Sequence, residues 1–293
     1  ANREGVTPVE LAGAMTLGEY PDAVPAELVI PPEVFASERD FPRFVDVAPR
    51  LGLNSIDLAG GALVDDFDGD GLLDVITSTW NVRGPMKAFR NEGDGRFTAR
   101  AQAAGLEGML GALNLVHADW DNDGDLDVYA LRGAWYADLG RFPNSLLSND
   151  GDGNFTDVTF AVGLGDVHYP SPSAAWSDYD LDGDLDLFVC NETSPGNDFP
   201  CQLFRDDGAR FTDVAAAAGV QNFQYAKCAA WGDFDGDRRP DLFVSNIYGP
   251  NRLYHNQGDG TFVDVAERMG VAGPYASFSS WWWDWNNDGA LDL

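Results

Sequence analysis

Asp178-Tyr179-Asp180-Leu181-Asp182-Gly183-Asp184-Leu185-Asp186 sets acidic side chains at loop positions 1, 3, 5 and 9, with glycine at position 6. Calcium is a hard cation that takes six to eight oxygens at roughly 2.3–2.6 Å. A short loop supplies them when alternate side chains turn inward and a backbone carbonyl, here that of Asp184, fills a gap. Glycine at position 6 permits the sharp turn. The pattern recurs with Asp66, Asp68, Asp70 and Asp74 around Leu72 at position 7, and with Asp119, Asp121, Asp123 and Asp127 around Asp125. Two weaker copies follow: Asp233, Asp235, Asp237 and Asp241 around Arg239, and Asp284, Asn286, Asp288 and Asp292 around Ala290. These positions form the expected metal-binding set, for up to five calcium ions.

The loop is not an EF-hand, whose twelfth position requires a bidentate glutamate and whose flanks are helices. Position 12 here is Thr77, Ala130, Val189 or Val244, and runs such as Leu187-Phe188-Val189 and Leu242-Phe243-Val244 are of the strand type. Each loop therefore joins two strands. Between loops a second signature recurs, as in Asn91-Glu92-Gly93-Asp94-Gly95-Arg96-Phe97 and Asn256-Gln257-Gly258-Asp259-Gly260-Thr261-Phe262. Gly-Asp-Gly between apolar runs reads as a hairpin turn. A version one residue shorter occurs over 203–211.

Each unit thus reads strand, acidic loop, strand, connection, strand, hairpin, strand. Loops begin at residues 66, 119, 178, 233 and 284, spacings of 53, 59, 55 and 51. Four-stranded antiparallel units at such a period predict an all-β chain of propeller blades. Loop position 2 is aromatic throughout, as Phe67, Trp120, Tyr179, Phe234 and Trp285. Odd positions face the ion, so these rings are expected to turn away from it, into the packing between blades.

These residues resemble the FG-GAP or VCBS-like repeats of integrin α-subunit propellers and, more closely, those of the cartilage acidic protein and ASPIC/UnbV-type secreted propellers. The likeness rests on the loops, on the Asn-x-Gly-Asp-Gly-x-Phe hairpin, and on strands such as Phe262-Val263-Asp264-Val265 that lead to Gly-Leu or Gly-Val. It runs over about residues 41 to 293. It implies a calcium-bound propeller, usually of seven or so blades, that serves adhesion or recognition and is sometimes appended to enzymes. Two departures stand out. Arg238 replaces glycine at position 6 of the fourth loop, with Pro240 at position 8, so that turn is expected to be strained or altered. Asn286 replaces aspartate at position 3 of the fifth loop, keeping an oxygen but less charge. Both loops are expected to bind more weakly.

With 48 acidic against 18 basic residues the chain carries −30, a field that repels nucleic acid and anionic membrane surfaces. A 44% hydrophobic content is ample for a folded core. Loops of this density suit millimolar calcium, so an extracellular, periplasmic or cell-surface setting is expected. No run of eighteen apolar residues marks a transmembrane segment. The chain opens without a signal segment, which reads as a mature form. Residues 1–38 lack the repeat but carry Pro21, Pro25, Pro31 and Pro32, so an extended or loosely helical strap is expected there. Its apolar islands Leu28-Val29-Ile30 and Val34-Phe35 offer docking on a partner as the functional alternative. The propeller is expected over 39–293. Cys190 and Cys201 either bridge or remain two thiols, depending on whether their strands come within about 7 Å. Cys228 reads as a buried small hydrophobe.

Two functions compete: a recognition, adhesion or assembly module with a protein or glycan partner, and a propeller-based carbohydrate-active enzyme or its sugar-binding part. The three histidines, His117, His168 and His255, fall at unrelated repeat positions, and His117 matches Trp176 and Trp231. Blade packing explains it better than catalysis. In Trp281-Trp282-Trp283-Asp284-Trp285 alternation turns Trp281 and Trp283 to one face and Trp282 to the other, as packing residues or as a ligand platform. Finally, Phe44-Val45-Asp46-Val47 matches the last strand of later units, and only four full units span 66–283. An incomplete ring, short of a typical count by roughly two or three blades, is therefore expected.

Overall fold

Every one of the first four acidic loops joins the first two strands of a four-stranded antiparallel sheet. In the computed structural model β1 (Ala62–Asp65) and β2 (Asp74–Thr77) flank the first loop, and β3 (Lys87–Asn91) turns into β4 (Phe97–Ala99). The unit repeats as β5 (Asn114–Ala118), β6 (Asp127–Leu131), β7 (Ser145–Asn149) and β8 (Phe155–Asp157). It repeats again as β9 (Ser173–Ser177), β10 (Asp186–Cys190), β11 (Gln202–Asp206) and β12 (Phe211–Asp213). The last full copy is β13 (Tyr225–Gly232), β14 (Asp241–Ile247), β15 (Arg252–Asn256) and β16 (Phe262–Asp264). Within each sheet strands neighbour one another in sequence order, as in a propeller blade. The register sets the ninth loop residue opposite the residue before the first: Asp74 pairs with Asp65, Asp127 with Ala118, Asp186 with Ser177 and Asp241 with Gly232.

The structure describes residues 22, 24–26, 29–31, 34, 44–208 and 210–293. The strap expected over 1–38, including Leu28 and Phe35 of its apolar islands, lies largely outside them. Two compact units cover residues 1–46 and 47–293. No helix of the described residues is long and apolar enough to cross a membrane.

Successive first strands pack side by side, β1 on β5, β5 on β9 and β9 on β13. Blades two, three and four bury their second strands along their whole length, which is why these read as unbroken apolar runs. Leu187, Phe188 and Val189 are all fully buried, each worth about 1.5–3 kcal/mol. Blades are also stapled through backbone: Phe155 N–H donates to Ala104 O at 2.9 Å, and Phe211 N–H to Val162 O at 2.8 Å. The approach is close enough that a Cβ on Gly105 would lie 2.5 Å from Phe155 O.

Among the described residues the four sheets do not close into a ring, and the fifth loop is framed only by a bridge between Trp283 and Asp292. Alternation in the tryptophan run is as expected. Trp282 packs on Phe234 and Phe243, while Trp281 and Trp283 are exposed on the other face.

Phe44-Val45-Asp46-Val47, which matches the last strand of later units, is not in a strand, and Phe44 is 93% exposed. Its counterparts at 155–157 and 262–264 are held by the third strand that precedes them across a hairpin, and no Gly-Asp-Gly hairpin precedes residue 44. The next segment does form, as a helical turn over Ala48–Leu51 ended by Gly52 at φ 84°, which packs so closely on β4 that a Cβ there would lie 2.5 Å from Phe97 O.

Candidate metal centres

The loop backbone is built by its own carboxylates. At position 1, Asp66, Asp119, Asp178, Asp233 and Asp284 each accept the N–H groups of positions 5 and 6 at 2.8–3.1 Å. The position 5 carboxylates of Asp70, Asp123, Asp182, Asp237 and Asp288 accept the N–H of Leu72, Asp125, Asp184, Arg239 and Ala290 at 2.9–3.0 Å. Position 9 works from the far side. Oδ2 of Asp127, Asp186, Asp241 and Asp292 accepts the N–H of the position 2 aromatic at 3.2–3.3 Å. Oδ1 of Asp74, Asp127, Asp186 and Asp241 accepts the backbone N–H of Asn91, Asn149, Asp206 and Asn256 at 2.7–2.9 Å. Thus the ninth aspartate ties the loop to the third strand of its blade.

The turn expected to be altered in the fourth loop is not. Arg238 adopts φ 68° where glycine at position 6 adopts 85–101° elsewhere, and its N–H reaches Asp233 Oδ2 at 2.8 Å. The conformation is kept at a cost of about 1–2 kcal/mol for a side chain in the left-handed region. Arg238→Gly should therefore raise stability by about 1 kcal/mol, or about 2–4 °C in calorimetry. A lower melting temperature would contradict this reading.

Carboxylate oxygens of Asp119, Asp121 and Asp127 lie within 4.8 Å of one another, as do those of Asp178, Asp180 and Asp186, and of Asp233, Asp235 and Asp241. These are positions 1, 3 and 9. In the first loop it is Asp66, Asp68 and Asp70 that converge, with Asp74 set apart. Positions 5 of the second and third loops, Asp123 and Asp182, lie outside these triads, and no three carboxylates of the fifth loop converge. There Asn286 turns its Nδ2 toward Asp288 at 3.0 Å. Burial pushes Asp127 and Asp186 from the ordinary 3.8 up to about 7, and Asp241 up to about 6. It raises Asp74, Asp121 and Asp180 as well.

The residue before the hairpin asparagine also serves the loop, which the sequence analysis missed. Arg90 pairs with Asp68 at 2.8 Å and Asp70 at 2.9 Å, holding Asp70 below the usual carboxylate range. His255, at the same hairpin position, lies 3.0 Å from Asp235 and 3.6 Å from Asp237. Gln257 Nε2 donates to His255 Nδ1 at 3.0 Å, leaving Nε2 to carry the hydrogen toward Asp235. Arg239 pairs with Asp237. The fourth loop thus brings its own cation, Arg239, and an N–H donor, His255, to its carboxylates. Aligning Arg90, Ser148, Arg205 and His255 on their hairpins was the signal that could have found this role.

A hard, all-oxygen donor set fits calcium. So does Asp68 Oδ1, a buried carboxylate oxygen without a hydrogen-bond partner.

Neighbouring blades couple through these loops. Asn149 Nδ2 donates to Phe67 O at 2.9 Å and Asn256 Nδ2 to Tyr179 O at 2.8 Å, each reaching position 2 of the preceding loop. Phe67 and Tyr179 are buried, Trp120 and Phe234 half-buried, and Trp285 is 68% exposed. His117 packs edge-on to Phe67 and lies 3.0 Å from Asp65, a blade-packing role, while His168 lies 2.9 Å from Gly165 O. Asp206 takes the asparagine's place in the third hairpin, and an ionised carboxylate cannot donate. Burial raises its pKa. Asp206→Asn should supply the missing donor toward Trp120 O and raise the melting temperature by about 2–4 °C. A fall would show that the carboxylate holds something an amide cannot.

A family model described as an FG-GAP-like repeat matches residues 66–130, 178–244 and 233–293. Cartilage acidic protein 1 of Homo sapiens is 27% identical over 298 residues, covering 88% of this chain and 42% of its own length. The Xenopus tropicalis protein of that name is 27% identical over 273 residues, covering 82% and 40%. The chain spans less than half the length of these relatives. Among solved structures, one on recognition of non-reducing terminal N-acetylglucosamine by an Agrocybe aegerita lectin aligns at TM-score 0.38 and 21% identity, over 69% of this chain and 50% of that one. The family match extends over more than half of the chain and falls on the loops whose backbone the carboxylates build; the chain belongs to the FG-GAP-like repeat family.

Proposed function

We propose that the chain is a calcium-stabilised propeller module of the extracellular space, serving recognition or assembly with a protein or glycan partner. The observation that carries this is the convergence of carboxylates at positions 1, 3 and 9 of consecutive blades, all oxygen, with burial first and the neighbouring carboxylates second pushing Asp127 and Asp186 up to about 7. Carboxyls that titrate near 7 are partly ionised at physiological pH, and a bound cation would offset that charge. The side chains at positions 1, 3, 5 and 9 would hold it, with the position 7 carbonyls of Leu72, Asp125 and Asp184. Bound calcium would neutralise the loop and tie its two strands together. The fourth loop, with Arg239 and His255 at hand, and the fifth, without a carboxylate triad, would bind more weakly.

Calorimetric titration of the chelator-stripped chain tests the metal, with about three sites in the millimolar range or tighter as the expected result. No heat at millimolar calcium would overturn the reading. The calcium-loaded chain, arrayed against glycans and extracellular proteins, then tests the partner. Saturable binding supports a module, whereas released product would favour the carbohydrate-active enzyme.

A further inference from the structure

Cys190 ends β10 and Cys201 immediately precedes β11. The register of this pair runs Leu187 opposite Phe204, Phe188 opposite Leu203 and Val189 opposite Gln202. The next rung sets Cys190 opposite Cys201. Antiparallel rungs alternate between pairs that exchange two backbone hydrogen bonds and pairs that exchange none, the latter with Cα atoms about 4.5 Å apart. Cys201 gives its N–H to Asn222 O at 3.0 Å, away from Cys190, so this rung is of the second kind. That separation lies within the roughly 4.4–6.8 Å a disulfide spans. Both side chains are 0% exposed, in the core that joins the third and fourth sheets. The Cys201 sulfur accepts a hydrogen bond from Asn222 Nδ2 at 3.7 Å.

We infer that Cys190 and Cys201 close into a cross-strand disulfide when the chain folds in an oxidising compartment. The two thiols lose two protons and two electrons as the S–S bond forms. A small-molecule disulfide such as oxidised glutathione takes both electrons and leaves as two thiols, by way of a mixed disulfide. Because the folded core shuts both sulfurs away from solvent, exchange takes place before the fourth sheet covers the third. Once formed, the bond is shielded from reductant by the same packing.

The bond would staple the base of the 191–200 connection. That segment carries Glu192, whose fully buried carboxylate pairs with Lys227 and accepts the Trp135 N–H at 2.6 Å. Trp135 itself sits at φ 70°, with Lys227 Nζ 3.3 Å from its ring centre. Locking rung 190/201 holds Glu192 where three elements of the chain meet. Cys228 stands apart, half-buried, with its sulfur 3.5 Å from Ser280 O.

The test is to refold the full chain in a glutathione redox buffer, alkylate it in guanidinium, and map its peptides with and without reduction. The expected result is one alkylated thiol per chain, Cys228, and a linked peptide pair containing Cys190 and Cys201. Reductant without denaturant should leave that pair intact. Its reduction under denaturing conditions, followed by refolding with blocked thiols excluded, should give a chain melting about 5–10 °C lower. Three alkylated thiols after oxidative refolding, or a bond that includes Cys228, would overturn the inference. A Cys228→Ala chain provides a second reading: it should show no free thiol, and two free thiols would overturn the inference equally.

Discussion

Stripping divalent ions with a chelator should lower the melting temperature by about 15–30 °C, and returning calcium at about 10 mM should restore it. A ligand that binds only the folded form contributes about 2.7 kcal/mol per site at 100 times its dissociation constant. Three such loops give about 8 kcal/mol, a large part of the 5–15 kcal/mol that holds a typical domain together, and each kcal/mol moves the transition by about 2–4 °C at this size. The pH dependence should reverse with the metal. In the stripped chain the folded carboxyls of Asp127 and Asp186 titrate near 7 and that of Asp241 near 6, against an ordinary 3.8. Between about pH 4 and 7 the folded state therefore binds more protons than the unfolded one, and stability falls as pH rises through that window. Calcium takes the proton's place, so the loaded chain should hold its stability above pH 7 and lose it on acidification. An unchanged melting temperature after chelation, or stripped protein more stable at pH 8 than at pH 5.5, would refute this account.

The second large effect separates two aspartates of one loop. Asp186→Ala should cost about 2–6 kcal/mol with or without calcium, because it strands the N–H groups of Tyr179 and Asp206, both buried, at about 1–3 kcal/mol each. Asp182→Ala removes an acceptor only from the exposed N–H of Asp184. It should cost little in chelator and appear only when calcium is present. Thermal melts of both variants at pH 6, with calcium and with chelator, make the comparison. Equal losses in chelator would show that position 9 has no structural role beyond binding the ion.

Arg238 shows why a local rule was too strict. Glycine is favoured at position 6 because the turn needs a positive φ, but Asp233 accepts the N–H groups of Gly236, Asp237 and Arg238, and that network holds an arginine in the glycine conformation. The loop fold is specified by several hydrogen bonds at once, and one misfit residue strains it without changing it.

The four-strand unit, its order, the two turns in each blade and the packing of four of the five loop aromatics, all but the exposed Trp285, were legible in the residues alone. Each rests on contacts within about twenty positions, where loop spacing, Gly-Asp-Gly and strand alternation act directly. Only the tertiary structure decided the rest. Residues 44–47 carry the strand pattern of 155–158 and 262–265 but are no strand, since a strand is made by a neighbour and not by its own sequence. Asn149 and Asn256 read as hairpin residues and prove to be latches on the preceding blade. His255 reads as an isolated histidine until β15 brings it over Asp235. Cys190 and Cys201 could be set opposite each other only by the register of β10 on β11, because eleven residues of chain constrain their distance far less than a ladder of backbone hydrogen bonds does.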